Sequence, residues 1–118
     1  MLSFPPSIRI FVATFPVDMR KDIDGLHGIA RSTLGLSPLT GHVLVAFNRR
    51  RDHVKILWWD RGGFVVFHKR LERGQFPADL SRPGHRGEID SGALMLLLQG
   101  LDPEKIRRPA IWSPSMPS

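Results

Sequence analysis

Two strand-like segments joined by a tight turn constrain the fold of this chain most. They are HVKILWW (residues 53–59) and FVVFHKRL (residues 64–71), both rich in β-branched and aromatic residues. Between them, DRGG (residues 60–63) predicts a hairpin, because glycine tolerates the positive φ angles of tight turns. A third segment, VLVAF (residues 43–47), precedes them across the turn NRRRD (residues 48–52). Together the three segments predict an antiparallel β-meander.

Two amphipathic helices are predicted beside this meander. After Asp18, a predicted N-cap, apolar residues recur at helical spacing, and Gly35 stands where a helix commonly ends. A shorter helix is predicted after Asp90 and ends at Gly100. The first apolar stripe consists of Met19, Ile23, Leu26, Ala30 and Leu34, and the second of Leu94, Leu97, Leu98 and Leu101.

These elements predict one α+β domain over residues 1–108, a small antiparallel β-meander packed against two short helices. Residues 8–14 (IRIFVAT) predict a further strand. We expect both helices on one face of the sheet, because a sheet this small is expected to bury only one face. Residues 72–87 predict an extended loop, and residues 109–118 a loosely ordered, Pro-rich tail.

The positive charge of the chain is concentrated in its middle third. The formal net charge is +6, and residues 49–86 hold ten Lys or Arg against four Asp or Glu, which accounts for all of it. The remaining seven basic and seven acidic residues cancel. A clustered field of this kind attracts polyanions and accelerates encounters with them.

Basic and aromatic side chains of the meander together predict a nucleic-acid interface. Cations neutralise phosphates, while aromatic rings stack on bases or sugars. Three consecutive arginines in the turn adjoin strands that carry further cations, so a continuous basic stripe is expected. The predicted nucleic-acid-binding residues are Arg49, Arg50, Arg51, Lys55, Trp58, Trp59, Lys69, Arg70 and Arg73. In the alternative interpretation, both tryptophans pack in the core and the cations only extend into water.

No pattern in the sequence indicates a metal site, a cofactor site or an enzyme. The chain has no cysteine, and its five histidines lack ligand spacing, although His53 and His68 are expected to be neighbours across the hairpin. Asp18, Asp22 and Asp24 suit the first turn of a helix better than a metal site. We therefore expect no catalytic residue, no metal and no cofactor.

The sequence also predicts a location in the cell. Two prolines interrupt the first fifteen residues, where a signal peptide needs an apolar run, and the longest apolar run, residues 93–98, is too short for a membrane span. The absence of cysteine fits a reducing compartment. We expect a cytoplasmic protein without a membrane partner, associated with the nucleoid if it binds DNA.

Three motifs resemble those of a known family. They are DMRKDIDGL (residues 18–26), VKILWWDRGGFVVFHKRLERGQF (residues 54–76) and LMLLLQGLD (residues 94–102). In this order and spacing they resemble the TnpB, or Orf2-like, accessory protein of the IS66 group of bacterial insertion sequences. In the first motif the matching residues are Asp18, Met19, Arg20 and Lys21; in the second they are Lys55, Trp58, Trp59, Asp60, Lys69, Arg70, Leu71 and Glu72.

The resemblance implies a small, non-catalytic protein encoded beside a DDE-type transposase and needed for efficient transposition. Combined with the clustered charge, it predicts an accessory protein that binds DNA. The alternative is an adaptor that docks on the transposase through apolar residues, including Trp112 of the tail, without contacting DNA. DNA and the transposase are thus the expected partners, and the oligomeric state stays open.

Overall fold

A five-stranded sheet with the strand order β4-β3-β2-β1-β5 forms the centre of the protein. The structure is a computed structural model, and it describes residues 4–77 and 87–101. The strands are β1 (Arg9–Val12), β2 (His42–Phe47), β3 (His53–Asp60), β4 (Gly63–Arg70) and β5 (Glu88–Ile89). Helix α1 (Ile23–Gly28) continues directly as a π-helix (Ile29–Thr33). Two further helices follow, a 3₁₀-helix (Pro38–Thr40) and α2 (Ser91–Leu98).

The predicted meander is confirmed. Strands β2, β3 and β4 are antiparallel neighbours, and β3 pairs with β4 over eight consecutive residue pairs from His53–Arg70 to Asp60–Gly63. Arg61 and Gly62 form the two-residue turn with φ angles of 43° and 92°, as a tight hairpin requires. The remaining strands make the sheet mixed, since β1 pairs with β2 in parallel and β5 pairs with β1 antiparallel.

The prediction that both helices cover one face of the sheet is wrong. Alternate residues of β2 belong to two separate core clusters: Val43, Val45 and Phe47 pack with α2, and Leu44 and Ala46 pack with α1. A strand with apolar residues on both faces stays out of water only if both faces are covered. The uninterrupted apolar run VLVAF in the sequence is the signature of such a strand.

The first helix begins later than predicted. Its N-terminal flanking residue is Asp22, and α1 starts at Ile23. Asp18 is not the cap, because its carboxylate accepts hydrogen bonds from the backbone and the guanidinium of Arg20. The end of the helical segment follows the prediction, with Gly35 at a φ of 64°.

The second helix is confirmed with its cap, but the last residue of its predicted stripe, Leu101, lies beyond the helix and is 42% exposed. The Asp90 carboxylate accepts a hydrogen bond of 2.7 Å from the Ala93 amide, so it satisfies one of the free donors at the helix start. Leu94, Leu97 and Leu98 are buried, and Gly100 has a φ of 79° after the last turn. The predicted domain limit at residue 108, the tail 109–118 and Trp112 lie outside the described residues.

Within the described ranges, no helix has both the length and the apolar character that crossing a bilayer requires.

Substitution of Gly87 tests how closely β1 meets the segment before β5. Gly87 has a φ of 79°, its carbonyl accepts a hydrogen bond of 2.6 Å from the Val12 amide, and a Cβ atom there would collide with the Val12 carbonyl. Gly74 has a similar φ of 75° but open space around the same position. In urea unfolding we expect Gly74→Ala to cost about 1–2 kcal/mol for the left-handed backbone alone.

Gly87→Ala adds the collision to the same backbone penalty. We expect it to cost roughly 1–3 kcal/mol more than the Gly74 variant. Equal losses of unfolding free energy in the two variants would show that β1 and Gly87 are not packed this closely.

A candidate nucleic-acid interface

A turn rich in arginine lies at the end of the sheet opposite the hairpin. The side chain of Asn48 organises the turn: its Oδ1 accepts hydrogen bonds of 3.0 Å from the amides of Asp52 and His53, and its Nδ2 donates to the Asp52 carboxylate. This hydrogen bond from Asn48 is the main reason why the pKa of Asp52 is lowered. The turn projects Arg49 and Arg50 into solvent, and Arg51 is half-buried with a φ of 58°.

The segment after β4 runs alongside this turn. The Leu71 amide donates to the Asp52 carbonyl at 2.8 Å, and the Phe76 amide donates to the Arg51 carbonyl at 2.6 Å. Phe76 is 1% exposed and packs on Phe47, which fixes the segment to the core. These bonds bring five arginines to one end of the sheet, and we call them the arginine cluster: Arg49, Arg50, Arg51, Arg70 and Arg73.

The arginine cluster keeps an excess of positive charge. Residues 48–53 and 70–76 hold five arginines and two carboxylates, Asp52 and Glu72, for a formal balance of +3. Arg70 pairs with Glu72 at 2.9 Å, and Arg50 approaches Asp52 only to 4.0 Å. No residue of the described part of the chain forms an ion pair with the other three members, Arg49, Arg51 and Arg73.

Two predicted contact residues, Lys55 and Lys69, do not join this surface. They lie on opposite faces of the sheet, as the alternation along β3 and β4 dictates. Lys55 is 8% exposed, and its Nζ donates to the Lys21 carbonyl at 2.7 Å. The Nζ of Lys69 donates to the Leu98 carbonyl at 2.6 Å, at the end of α2 where carbonyls lack helical partners. Both ammonium groups therefore serve internal hydrogen bonds.

The two tryptophans of β3 lie at the other end of the sheet. Trp58 is half-buried and meets Phe4 edge-on at 5.3 Å between ring centres. Trp59 is 38% exposed and meets Phe64 edge-on at 5.0 Å. From the turn to the hairpin, β3 spans about 23 Å at a rise of about 3.3 Å per residue. The structure thus separates the aromatic rings from the arginine cluster, and Trp59 is the more exposed ring.

The DMRK motif borders the arginine cluster. Its turn is closed by the Lys21 amide, which donates to the Asp18 carbonyl at 3.1 Å. Hydrogen bonds from Arg20 lower the pKa of the Asp18 carboxyl to about 2. A shallow groove is lined by Asp18, Met19, Arg49, Arg50 and His53. Sequence reasoning missed that Lys55 holds this motif to the sheet, because Lys21 lies 34 positions away.

The expected pairing of His53 with His68 is present. Nδ1 of His53 and Nε2 of His68 lie 2.9 Å apart on the face of the sheet that carries Lys55. Burial lowers the pKa of His68, and the positive charges of Lys55, His53 and Arg70 add to the effect. Within the described ranges, no three side chains of the metal-binding types come together.

Comparisons with known proteins give a family and two relatives. The sequence model of a family described as IS66 Orf2 like protein matches residues 8–108. The uncharacterized protein y4jC of Sinorhizobium fredii is 32% identical over 108 residues, covering 92% of each chain. The uncharacterized protein y4hO of the same organism is 34% identical over 112 residues, covering 92% of this chain and 96% of its own. No solved structure is significantly similar.

The His68 environment predicts a loss of stability in mild acid. Because the pKa of His68 in the folded protein lies below its ordinary value of 6.5, the unfolded chain binds the proton first as the pH falls. The free energy of unfolding should therefore decrease as the pH drops below that value. Urea unfolding at neutral and mildly acidic pH measures it, and His68→Gln should show a smaller decrease. If the free energy of unfolding decreases equally in the wild type and in His68→Gln, then His68 is not the cause of the acid sensitivity.

Proposed function

Because this chain belongs to the IS66 Orf2-like family, which consists of accessory proteins of IS66 insertion sequences, we propose that it binds nucleic acid during transposition through its arginine cluster. The family assignment supports the link with transposition, and the proposal of a nucleic-acid contact rests on the structure. The observation that carries it is the +3 balance of the cluster, with three arginines outside any ion pair of the described residues.

The chemistry of the cluster favours phosphate as the group contacted. Guanidinium groups bind phosphate oxygens through two parallel hydrogen bonds, and they remain charged at any physiological pH. Phosphate contacts position a protein on nucleic acid and carry no base sequence. We therefore propose binding with little sequence preference by this surface alone.

The geometry also narrows the set of contact residues. The proposal retains Arg49, Arg50, Arg51, Arg70 and Arg73 as phosphate contacts. It leaves Lys55 and Lys69 as internal donors, since a phosphate contact would break their bonds to backbone carbonyls. Trp59 lies about 23 Å from the arginine cluster along β3. It would contact the same duplex only if the duplex ran along the sheet for about seven base pairs, each rising about 3.4 Å.

The proposed role is non-catalytic. Asp18 is engaged by Arg20, Asp52 by Asn48, and Asp90 caps α2. These three carboxylates thus stabilise two turns and a helix start. Acid–base or metal catalysis would instead need carboxylates that converge on one point.

Removing arginines from the cluster should flatten the salt dependence of DNA binding. Each lost phosphate contact lowers the slope of log K against log salt by about 0.9 for a duplex, so Arg49→Gln with Arg51→Gln should lower it by about 1.8. Fluorescence anisotropy with labelled duplexes of two unrelated sequences, at several salt concentrations, measures the slope.

A charge-matched variant supplies the control. Arg31→Gln with Arg61→Gln removes the same two charges from exposed positions outside the cluster, on the π-helix and in the hairpin turn. We expect this variant to retain the wild-type slope. Equal flattening in both double variants would show that only the net charge matters, and the arginine cluster would not be the binding surface.

The exposed Trp59 favours a second candidate function, an adaptor that docks on the transposase of the same element. Its ring and that of Phe64 form an aromatic pair at the hairpin end, away from the arginines. Aromatic residues of this kind commonly anchor protein interfaces. Co-purification of the two proteins from nuclease-treated lysate distinguishes the two candidate functions. A complex that survives nuclease treatment and is lost in Trp59→Ala supports the adaptor. A complex that is lost when the nucleic acid is digested supports binding through nucleic acid.

A further inference from the structure

Strand β4 is a long and open edge of the sheet. It pairs with β3 on one side, and among residues 4–77 and 87–101 no strand pairs with it on the other. It spans eight residues, whereas β5 at the opposite edge spans two and has Glu88 paired with Arg9 at 2.9 Å. A long unpaired edge presents a row of free donors and acceptors that another strand can bind.

The hairpin determines which backbone groups of β4 point outward. In a two-residue hairpin the closing pair, here Asp60 and Gly63, is hydrogen-bonded, and bonded and non-bonded pairs then alternate along the ladder. Odd-numbered residues of β4 therefore point their amides and carbonyls toward β3. The outward groups belong to Phe64, Val66, His68 and Arg70. No other backbone group in the described part of the chain forms a hydrogen bond with them.

Strand β4 itself lacks the features that commonly block strand addition. Its pairing with β3 is continuous, without a bulge, and the strand contains no proline. Its first five residues are Gly63, Phe64, Val65, Val66 and Phe67, with no charge among them. Lys69 and Arg70 lie at one end only, and the Lys69 ammonium is directed to the Leu98 carbonyl.

The sequence of β4 is complementary to itself when read in the antiparallel direction. If Phe67 lies opposite the same residue of a second copy, Val66 lies opposite His68, Val65 opposite Lys69, and Phe64 opposite Arg70. Cations then face apolar residues and never each other, so like-charge repulsion across the strands is avoided. In this register each of the four residues with outward backbone groups lies opposite another of the four in the second copy. The two strands then form about eight backbone hydrogen bonds with each other.

From this complementarity we propose that β4 is a homodimer interface, at which two copies of the chain pair edge to edge and form one continuous ten-stranded sheet across a two-fold axis. The aromatic face of Phe64 in one copy then receives the Arg70 guanidinium of the other, a favourable cation–π geometry. The pairing also places the arginine end of one chain beside the hairpin end of its partner. In the dimer the Arg70 guanidinium would exchange Glu72 for Phe64, which leaves Arg49, Arg50, Arg51 and Arg73 for the proposed phosphate contacts. The interface is tested without nucleic acid, so the two proposals can fail separately.

A pair of variants at His68 tests the interface. His68→Pro removes the outward amide, which lies outside the β3 ladder, whereas His68→Ala removes the same ring and retains the amide. By light scattering over a range of concentrations, the wild type and His68→Ala should reach twice the 13.3 kDa of one chain, and His68→Pro should remain at one chain mass with an unchanged β signal in circular dichroism. A wild type that stays at one chain mass throughout overturns the proposal, including the case in which β4 pairs with a different protein.

Cross-linking tests the register even if His68→Pro fails to fold. The chain contains no cysteine, so a single introduced cysteine forms a disulfide only with its copy in another chain. Phe67→Cys should oxidise to a covalent dimer at low protein concentration, because residues on the two-fold axis of a non-hydrogen-bonded pair have Cα atoms about 4.5 Å apart. Leu39→Cys, at a 55% exposed position on the 3₁₀-helix, should stay monomeric. Equal cross-linking of both variants would contradict the interface.

Discussion

The coverage of both faces of the sheet is the constraint on which the rest of this structure depends. Strand β2 is buried on each side, beneath α2 on one face and α1 on the other. Charged groups cannot enter such a core without a partner, because burying an uncompensated charge costs far more than a buried apolar contact returns. The cations of residues 49–73 are therefore confined to strand ends and edges, or they bond to backbone carbonyls as Lys55 and Lys69 do.

This confinement gives the molecule two chemically different ends. At one end, the Asn48 turn and the segment anchored by Phe76 gather the arginine cluster, and Lys55 ties the DMRK motif beside it. At the other end, the hairpin presents Trp59 and Phe64. A single chain cannot merge these ends into one patch, since β3 holds them about 23 Å apart. Antiparallel pairing of two β4 strands would bring the arginine end of one chain to the aromatic end of another.

The parts of the fold that the sequence predicted are those set by local chemistry. The hairpin follows from Gly62 and the capped helix from Asp90, each acting within a few residues. Two other pairings join segments that are distant in the sequence: β1 pairs with β2 in parallel, and β5 pairs with β1. No local residue pattern predicts either pairing. The start of α1 was misplaced because Asp18, a plausible cap, has Arg20 as a nearer partner for its carboxylate.

The candidate site divides in the same way. The three arginines of the turn were placed correctly at a strand end, because a polar run between two strands must leave the sheet. The internal roles of Lys55 and Lys69 could not be predicted, since their acceptors are the carbonyls of Lys21 and Leu98, 34 and 29 positions away. Strand alternation shows that the two lysines lie on opposite faces of the sheet. It does not show that each ammonium group donates a hydrogen bond to a backbone carbonyl on its face.

Binding through the arginine cluster is tested most directly by mapping nuclear magnetic resonance shifts when a DNA duplex is added to the ¹⁵N-labelled protein. If the arginine cluster binds the duplex, amide and guanidinium resonances of residues 48–53 and 70–76 shift together, and they shift back as salt is raised. Shifts confined to the hairpin, with the indole of Trp59 perturbed and the arginine cluster unchanged, would contradict it.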